Sequence, residues 1–127
     1  PRALFSDTEE GTWYHCEMTY EGHMGGALTL TASAQLCRHI AANVLGEDES
    51  NVPQSMASDA LGELLNLLCG RFTYAVYGSE KSFALAAPAI YRIGREKWFE
   101  FFAQPDTIRL SVEGEPLLLT LRYASAV

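Results

Sequence analysis

Residues 55–72 constrain the fold most strongly, because they have the periodicity of one long amphipathic helix. At about 100° per residue, Asp59, Glu63 and Asn66 fall within roughly 60° of one another and form a polar stripe. The opposite side is apolar and consists of Ala57, Ala60, Leu61, Leu64, Leu67 and Leu68. The pattern predicts a helix that buries one side and presents acid and amide groups on the other. A solvated surface without further function is the alternative for such a stripe.

Three further residues mark the ends and the packing of this helix. Ser55 is expected to cap its N-terminus, and Gly70 is expected to end it. In the interior, Gly62 costs about 1 kcal/mol relative to alanine. Its missing side chain would let another backbone approach closely, either that of an adjacent helix or that of a binding partner.

Size and charge limit the class of protein. The 127 residues, of which 48% are hydrophobic, predict one domain over residues 1–127 with a real core. Residues 1–11 have no clear period and are expected to be a tail or a truncated edge. Sixteen acidic and nine basic residues give a net charge of −7, which excludes the basic footprint of a nucleic-acid binder. The sequence predicts no membrane-spanning helix and no signal peptide, so we expect a cytoplasmic protein.

The cysteines and histidines do not form a metal-binding pattern. The three cysteines are far apart in sequence and are expected to be small buried hydrophobes. His15, His23 and His39 are not at metal-ligand spacing with them. The acidic segment 47–51 lacks the spaced ligands of a calcium loop and is predicted to be a solvated loop. We therefore expect no metal site.

The order of predicted elements indicates an α+β fold. Residues 12–20 and 26–31 alternate as two strands of a hairpin, and residues 33–45 form a helix that ends at Gly46. The second half is nearly all strand-like, and its predicted strands cover residues 72–77, 83–87, 89–93, 107–113 and 117–123. This order favours two layers, with a largely antiparallel sheet covered on one face by a pair of long helices.

Several details of the second half are also predicted. Residues 72–77 and 83–87 are expected to form a hairpin, and after Pro88 the chain either continues the same strand past a bulge or starts a new edge segment. Ile108, Leu110 and Val112 are expected to face inward. A dense aromatic group, suited to a core or an interface, consists of Trp98, Phe99, Phe101 and Phe102.

The segment 58–70 resembles the signature helix of the CheC/CheX/FliY chemotaxis phosphatases. That signature is an Asp or Ser, three residues, a Glu, two residues and an Asn, followed some twenty residues later by a proline. Asp59, Glu63 and Asn66 match it, and Pro88 stands in about the right place. The first predicted helix has no Glu-x-x-Asn, so the resemblance is to the single-site CheX-like branch.

The resemblance implies a phosphatase that acts on the aspartyl-phosphate of a CheY-like response regulator. It implies Glu63 and Asn66 as the catalytic pair, with Asp59 as the third position of the motif. We predict that Asp59 and Gly62 bind the partner. No cofactor of the chain's own is expected, and Mg²⁺ is expected in the partner receiver domain. CheX-like members are homodimers, so a homodimer is expected as well. The alternative is a catalytically silent CheC-like binding module in a signalling or flagellar-switch assembly.

Overall fold

The computed structural model describes residues 11–22, 24–78 and 83–123. The predicted tail, apart from Gly11, and His23, in the connection of the predicted hairpin, lie outside these ranges. In chain order the elements are β1 (Trp13–Gly22), β2 (Gly26–Ser33), α1 (Ala34–Leu45), a 3-10 helix (Glu49–Asn51), α2 (Gln54–Tyr77), β3 (Phe83–Leu85), β4 (Ala89–Ile93), α3 (Arg95–Ala103), β5 (Ile108–Val112) and β6 (Glu115–Tyr123). The predicted α+β class is confirmed.

The strands form one antiparallel sheet in the order β3-β1-β2-β6-β5, with β4 also paired to β1. The predicted hairpin of β1 and β2 is present, and Cys16 lies opposite Leu30 in it. On the next strand, Leu119 lies opposite Leu30. These three residues belong to one apolar core, which α1 and α2 cover from one face of the sheet.

Strands β3 and β4 form one broken edge beside β1. Tyr20 pairs with Leu85 and Glu17 pairs with Ala89. Between these pairs, residues 18–19 of β1 face residues 86–88, so the edge carries one extra residue. This two-against-three arrangement is a bulge, and it contains Pro88, which cannot donate a hydrogen bond to the sheet. Of the two predicted alternatives, neither holds alone, because residues 89–93 form a separate strand that pairs with the same edge of β1 beyond the bulge.

The cysteines are buried and free, as predicted. Burial raises the pKa of the Cys16 thiol to about 11 and that of Cys37 to about 12. It also raises the pKa of Cys69. The thiolate is the reactive form of cysteine, so these side chains act as packing groups.

The second helix is longer than predicted at its C-terminal end. Gly70 does not end it, and residues 72–77 continue the helix instead of forming a strand. The helix ends at Gly78, which has φ 91° and donates its N–H to the carbonyl of Tyr74. The β-prone residues of this segment are helical because Phe72 and Tyr77 pack against the core, where Tyr77 also contacts Phe83. The predicted hairpin between residues 72–77 and 83–87 is therefore wrong.

Two smaller predictions about this helix are also wrong. The N-terminal cap position is Pro53, not Ser55, and no side chain bonds to the first turn there. Leu67, expected on the apolar side, is 56% exposed, whereas Leu65 is fully buried. The buried arc is thus rotated slightly from the predicted one, toward the face that meets β1 and β2.

The aromatic segment forms a third helix, which the sequence did not predict. Trp98 stacks on Trp13 with ring centroids 5.5 Å apart, and Phe101 stacks on His15 at 4.2 Å. Trp13 and His15 alternate with the core residues of β1, so α3 packs on the sheet face opposite the helix pair. Trp98 is core, whereas Phe99 is exposed.

Strand β5 exposes two side chains that were expected to face inward. Ile108 is 40% and Leu110 is 42% exposed, because β5 is an edge strand of the sheet. Val112 packs against the core, as expected.

No helix in the described part of the chain combines the length and the apolar composition needed to span a bilayer.

Candidate functional site

The orientation of α2 is set by a row of buried residues at every fourth position. Ala57, Leu61, Leu65 and Cys69 are at most 1% exposed and pack in the central core. Side chains four residues apart lie on one side of a helix, so this row fixes the rotation of α2 about its axis. The remaining arc, which carries Asp59, Glu63 and Asn66, consequently faces solvent.

Asp59, Glu63 and Asn66 are all exposed. Glu63 and Asn66 are three residues apart, so their side chains are neighbours with an axial offset of about 4.5 Å. Within the described residues, neither side chain makes a hydrogen bond or an ion pair. The structure thus places a carboxylate and an amide side by side on the exposed side of a helix whose opposite side is buried. Their hydrogen-bonding groups are accessible to an incoming molecule.

An apolar groove borders this stripe on the side of α1. It encloses about 530 Å³ between α1 and α2. Its polar rim consists of Asp59, Glu63 and Asn66, and its apolar walls include Val44 and Met56, both exposed. A partner that reaches the polar stripe also meets this apolar surface.

A second hollow lies beyond Asn66, toward the C-terminus of α2. It is a shallow, open hollow of about 580 Å³ and is lined by Asn66, Leu67, Gly70, Arg71, Tyr74 and Leu85. We call it the α2 notch. The sequence prediction missed it, because it treated Gly70 as the end of the helix and residues 72–77 as a strand. The signal that was available is that Gly70 and Tyr74 continue the spacing of Asn66 by four residues each.

Gly62, predicted as a partner-binding residue, is buried within the fold. A Cβ atom at this position would lie 3.2 Å from Cδ1 of Ile90 and 3.5 Å from Cβ of Pro88. The missing side chain therefore lets α2 approach the bulged edge of the sheet. The close neighbour is thus the edge of the sheet, not the adjacent helix that was predicted, and Gly62 does not belong to the exposed surface. Gly62 therefore lies beside Pro88, the proline of the signature.

The described residues contain no group of three or more His, Cys, Asp or Glu side chains arranged to hold a metal ion. His39 on α1 instead bonds to two carboxylates, Glu49 in the 3-10 helix and Glu113 in the β5–β6 turn. The hydrogen bond that the His39 ring donates to Glu49, and then the one that it donates to Glu113, raise the pKa of His39 above its ordinary value. We call these three residues the His39 cluster.

Comparison with known proteins identifies the family of the chain. No curated protein matches its sequence. Among solved structures, the CheX–CheY–BeF3–Mg²⁺ complex from Borrelia burgdorferi matches with a TM-score of 0.64 and 13% identity, covering 88% of this chain and 76% of that chain. CheX from Vibrio vulnificus matches with a TM-score of 0.64 and 18% identity, covering 87% and 75%.

CheX from Desulfovibrio desulfuricans matches with a TM-score of 0.61 and 15% identity, covering 90% and 77%. At such identities these likenesses concern the fold. The sequence supplies the family, because residues 14–97 match the family described as chemotaxis phosphatase CheX. With more than half of its length matched, the chain belongs to the CheX family of chemotaxis phosphatases.

Proposed function

We propose that this chain dephosphorylates the aspartyl-phosphate of a CheY-like receiver domain and that Glu63 and Asn66 are its catalytic pair. The observation that carries the proposal is the exposure of both side chains, one turn apart, on a helix whose opposite side is buried. Membership of the CheX family supports the reaction. The Borrelia complex of CheX with CheY supports the class of partner.

Asn66 is suited to orient the hydrolytic water. Hydrolysis of an acyl phosphate needs a water molecule in line with the bond that breaks. A side-chain amide can both accept a hydrogen bond from that water and donate one to it. Unlike a carboxylate, the amide adds no negative charge beside the anionic phosphoryl group. Neutralisation of the phosphoryl charge falls to the receiver and its Mg²⁺, so this chain needs no metal of its own.

Glu63 is suited to fix the docking register. Its carboxylate lies beside Asn66 and can form a charge-assisted hydrogen bond with a lysine in the receiver. Such a pair would hold Asn66 at one position relative to the phosphoryl group. Asp59, one turn before Glu63, would then meet the partner at the edge of the contact.

The proposed reaction is tested by phosphate release from each phosphorylated receiver domain of the same organism, with and without this protein. We expect acceleration for at least one receiver. Asn66→Ala should lower that acceleration by about 100-fold or more, because loss of one well-placed polar group in a transition state has that order of effect. The free energy of unfolding should change by no more than about 0.5 kcal/mol, since the residue is exposed.

Asn43→Ala is the matched control. It removes the same exposed amide from α1, at a position outside the groove and the α2 notch. It should release phosphate at the wild-type rate. Full activity of Asn66→Ala would disprove the role of Asn66. Binding of a receiver without any acceleration would establish the alternative, a catalytically silent binding module.

We also propose that the chain forms a homodimer and acts in the cytoplasm, where its receiver partner acts. The α3 side of the sheet supports self-association, because Tyr91, Phe99 and Phe102 are exposed there. Sedimentation equilibrium should give twice the monomer mass for the wild type and a lower mass for Phe99→Glu. A monomeric wild type would contradict this part of the proposal.

A further inference from the structure

We propose that the α2 notch is a docking site that binds the receiver next to its phosphoryl group. In this notch, Arg71 pairs with a carboxylate of the receiver. This inference rests on the proposed function and extends its contact surface beyond Glu63 and Asn66. The occupant is the rim of the receiver's phosphorylation site, an anionic surface.

The notch continues the ridge that carries Asn66. Asn66, Gly70 and Tyr74 follow one another at intervals of four residues, so they form one ridge along α2. The missing side chain of Gly70 interrupts that ridge between the amide and the phenol ring. Tyr74 is 65% exposed and forms the far wall of the gap.

No neighbouring part of the described fold fills the gap at Gly70. A Cβ atom at Gly70 would meet nothing within 4 Å, whereas one at Gly62 would contact Ile90 and Pro88. Glycine in a helix interior is less stable than alanine, so Gly70 weakens α2 without allowing closer packing among the described residues. The space next to Asn66 is therefore available to a partner that inserts into it.

The wall of the notch carries a positive charge, at Arg71, whereas Asp59 and Glu63 of the stripe are negative. Arg71 is the only basic residue in α2, and the chain as a whole has a net charge of −7. It is exposed and forms no ion pair with another described residue. A phosphorylation site that binds Mg²⁺ presents phosphoryl and carboxylate oxygens, and a guanidinium group binds such oxygens in a bidentate manner.

Glu63 and Arg71 carry opposite charges and together can set the direction in which the receiver docks. They are eight residues apart, so their axial separation is about 12 Å. The acid is suited to a lysine of the receiver and the base to a carboxylate of the receiver. Two pairs of opposite polarity admit one docking direction and reject the reverse, because the reverse brings like charges together. Along the helix axis Asn66 lies between them, so a docking direction fixed by the two pairs also fixes the position of its amide relative to the phosphoryl group.

The test is a titration with the Mg²⁺-loaded, beryllofluoride-activated receiver that the wild type binds best. Gly70→Leu should weaken binding by about tenfold or more, because it fills the notch. Arg71→Glu should weaken binding to a similar degree, and less so at high salt. Arg95→Glu makes the same charge reversal, and Ala75→Leu introduces the same leucine side chain, at exposed positions outside the notch. Both should bind within about twofold of wild type.

Melting temperatures separate docking from folding. Gly70→Ala should raise the melting temperature, since alanine favours the helix and meets no neighbour. The same variant should bind the receiver more weakly than wild type. Opposite signs in the two measurements exclude a purely structural role for Gly70.

Wild-type affinity of both Gly70→Leu and Arg71→Glu, with Asn66→Ala inactive, would overturn this inference and leave the proposed function standing. Absence of binding to every activated receiver would overturn both. Weak binding of the two notch variants together with unchanged controls would establish the notch as a docking site.

Discussion

Two groups of polar side chains lie on the helix layer of this protein, and they differ in their partners. In the His39 cluster, one imidazole bonds to the carboxylates of Glu49 and Glu113 and links three elements of the fold. Along the stripe of α2, the carboxylate of Glu63 and the amide of Asn66 make no such bond with another described residue. The difference indicates that polar groups of the first kind stabilise the fold, whereas those of the second kind are available for recognition.

Reversing the charge of one glutamate in each group tests this comparison most directly. Glu63→Lys should weaken receiver binding by about 10- to 100-fold, because it sets a cation against the receiver's lysine. Its melting temperature should stay near wild type. Glu49→Lys changes the net charge equally but should lower the melting temperature and leave binding intact. If both variants lost receiver affinity equally, net charge alone would determine binding. The proposed difference between the stripe and the His39 cluster would then be wrong.

The pH dependence of stability should reveal the His39 cluster. The pKa of His39 is raised above 6.5 by Glu49 and then Glu113, so the folded protein binds the proton more tightly than the unfolded chain. The resulting stabilisation is fully present below pH 6.5 and is lost as the pH rises through the raised pKa. The melting temperature of wild type should therefore exceed that of His39→Gln at low pH, and the gap should close at high pH. A gap that is independent of pH would contradict the charged pairing.

His15 should show a smaller effect of the opposite sign. Its Nδ1 is 2.7 Å from Oγ1 of Thr31, and its ring lies under Phe101 of α3. Burial lowers the pKa of His15, the nearby Lys97 also lowers it, and Glu17 raises it. The stabilisation from neutral His15 is present above pH 6.5 and is lost as the pH falls through the lowered pKa.

Tryptophan fluorescence can follow this second titration, because Trp98 stacks on Trp13 beside His15. Acid should alter that signal in wild type and in His39→Gln alike. A signal that follows His39 instead of His15 would refute the assignment.

Asp59→Asn should have the smallest effect. The residue is exposed and lies one turn before Glu63, at the rim of the apolar groove. We expect a change of less than about threefold in receiver affinity, because a rim charge contributes little. A loss of receiver affinity as large as that expected for Glu63→Lys would show that Asp59 makes a central contact with the receiver.

The sequence predicted best what depends on local periodicity. The stripe of Asp59, Glu63 and Asn66 follows from helical spacing, and the β1–β2 hairpin follows from alternation. Both patterns repeat over enough residues to outweigh individual exceptions. The C-cap of α1 at Gly46, with φ 69°, was predictable from the glycine itself.

What the sequence did not predict depends on contacts between distant residues. Residues 72–77 alternate like a strand, yet Tyr77 is helical and its hydroxyl lies 2.7 Å from that of Tyr20. The helix α3 forms where its rings meet Trp13 and His15 across the sheet. Likewise, two glycines of one helix look alike in sequence, but Gly62 packs against Pro88 and Gly70 opens the notch. Only the tertiary structure decides what occupies the space beside each.

The buried row of α2 has a further consequence for the energetics of association. A helix that slipped by one residue within the core would turn its outer surface by about 100°, and the row of Ala57, Leu61, Leu65 and Cys69 prevents that slip. Folding thus sets the angular position of Glu63 and Asn66 before any encounter. Association then requires little further loss of backbone conformational entropy and behaves as the docking of two rigid bodies. In the proposed reaction, the hydrophobic core would thus determine how precisely Asn66 is positioned at the phosphoryl group.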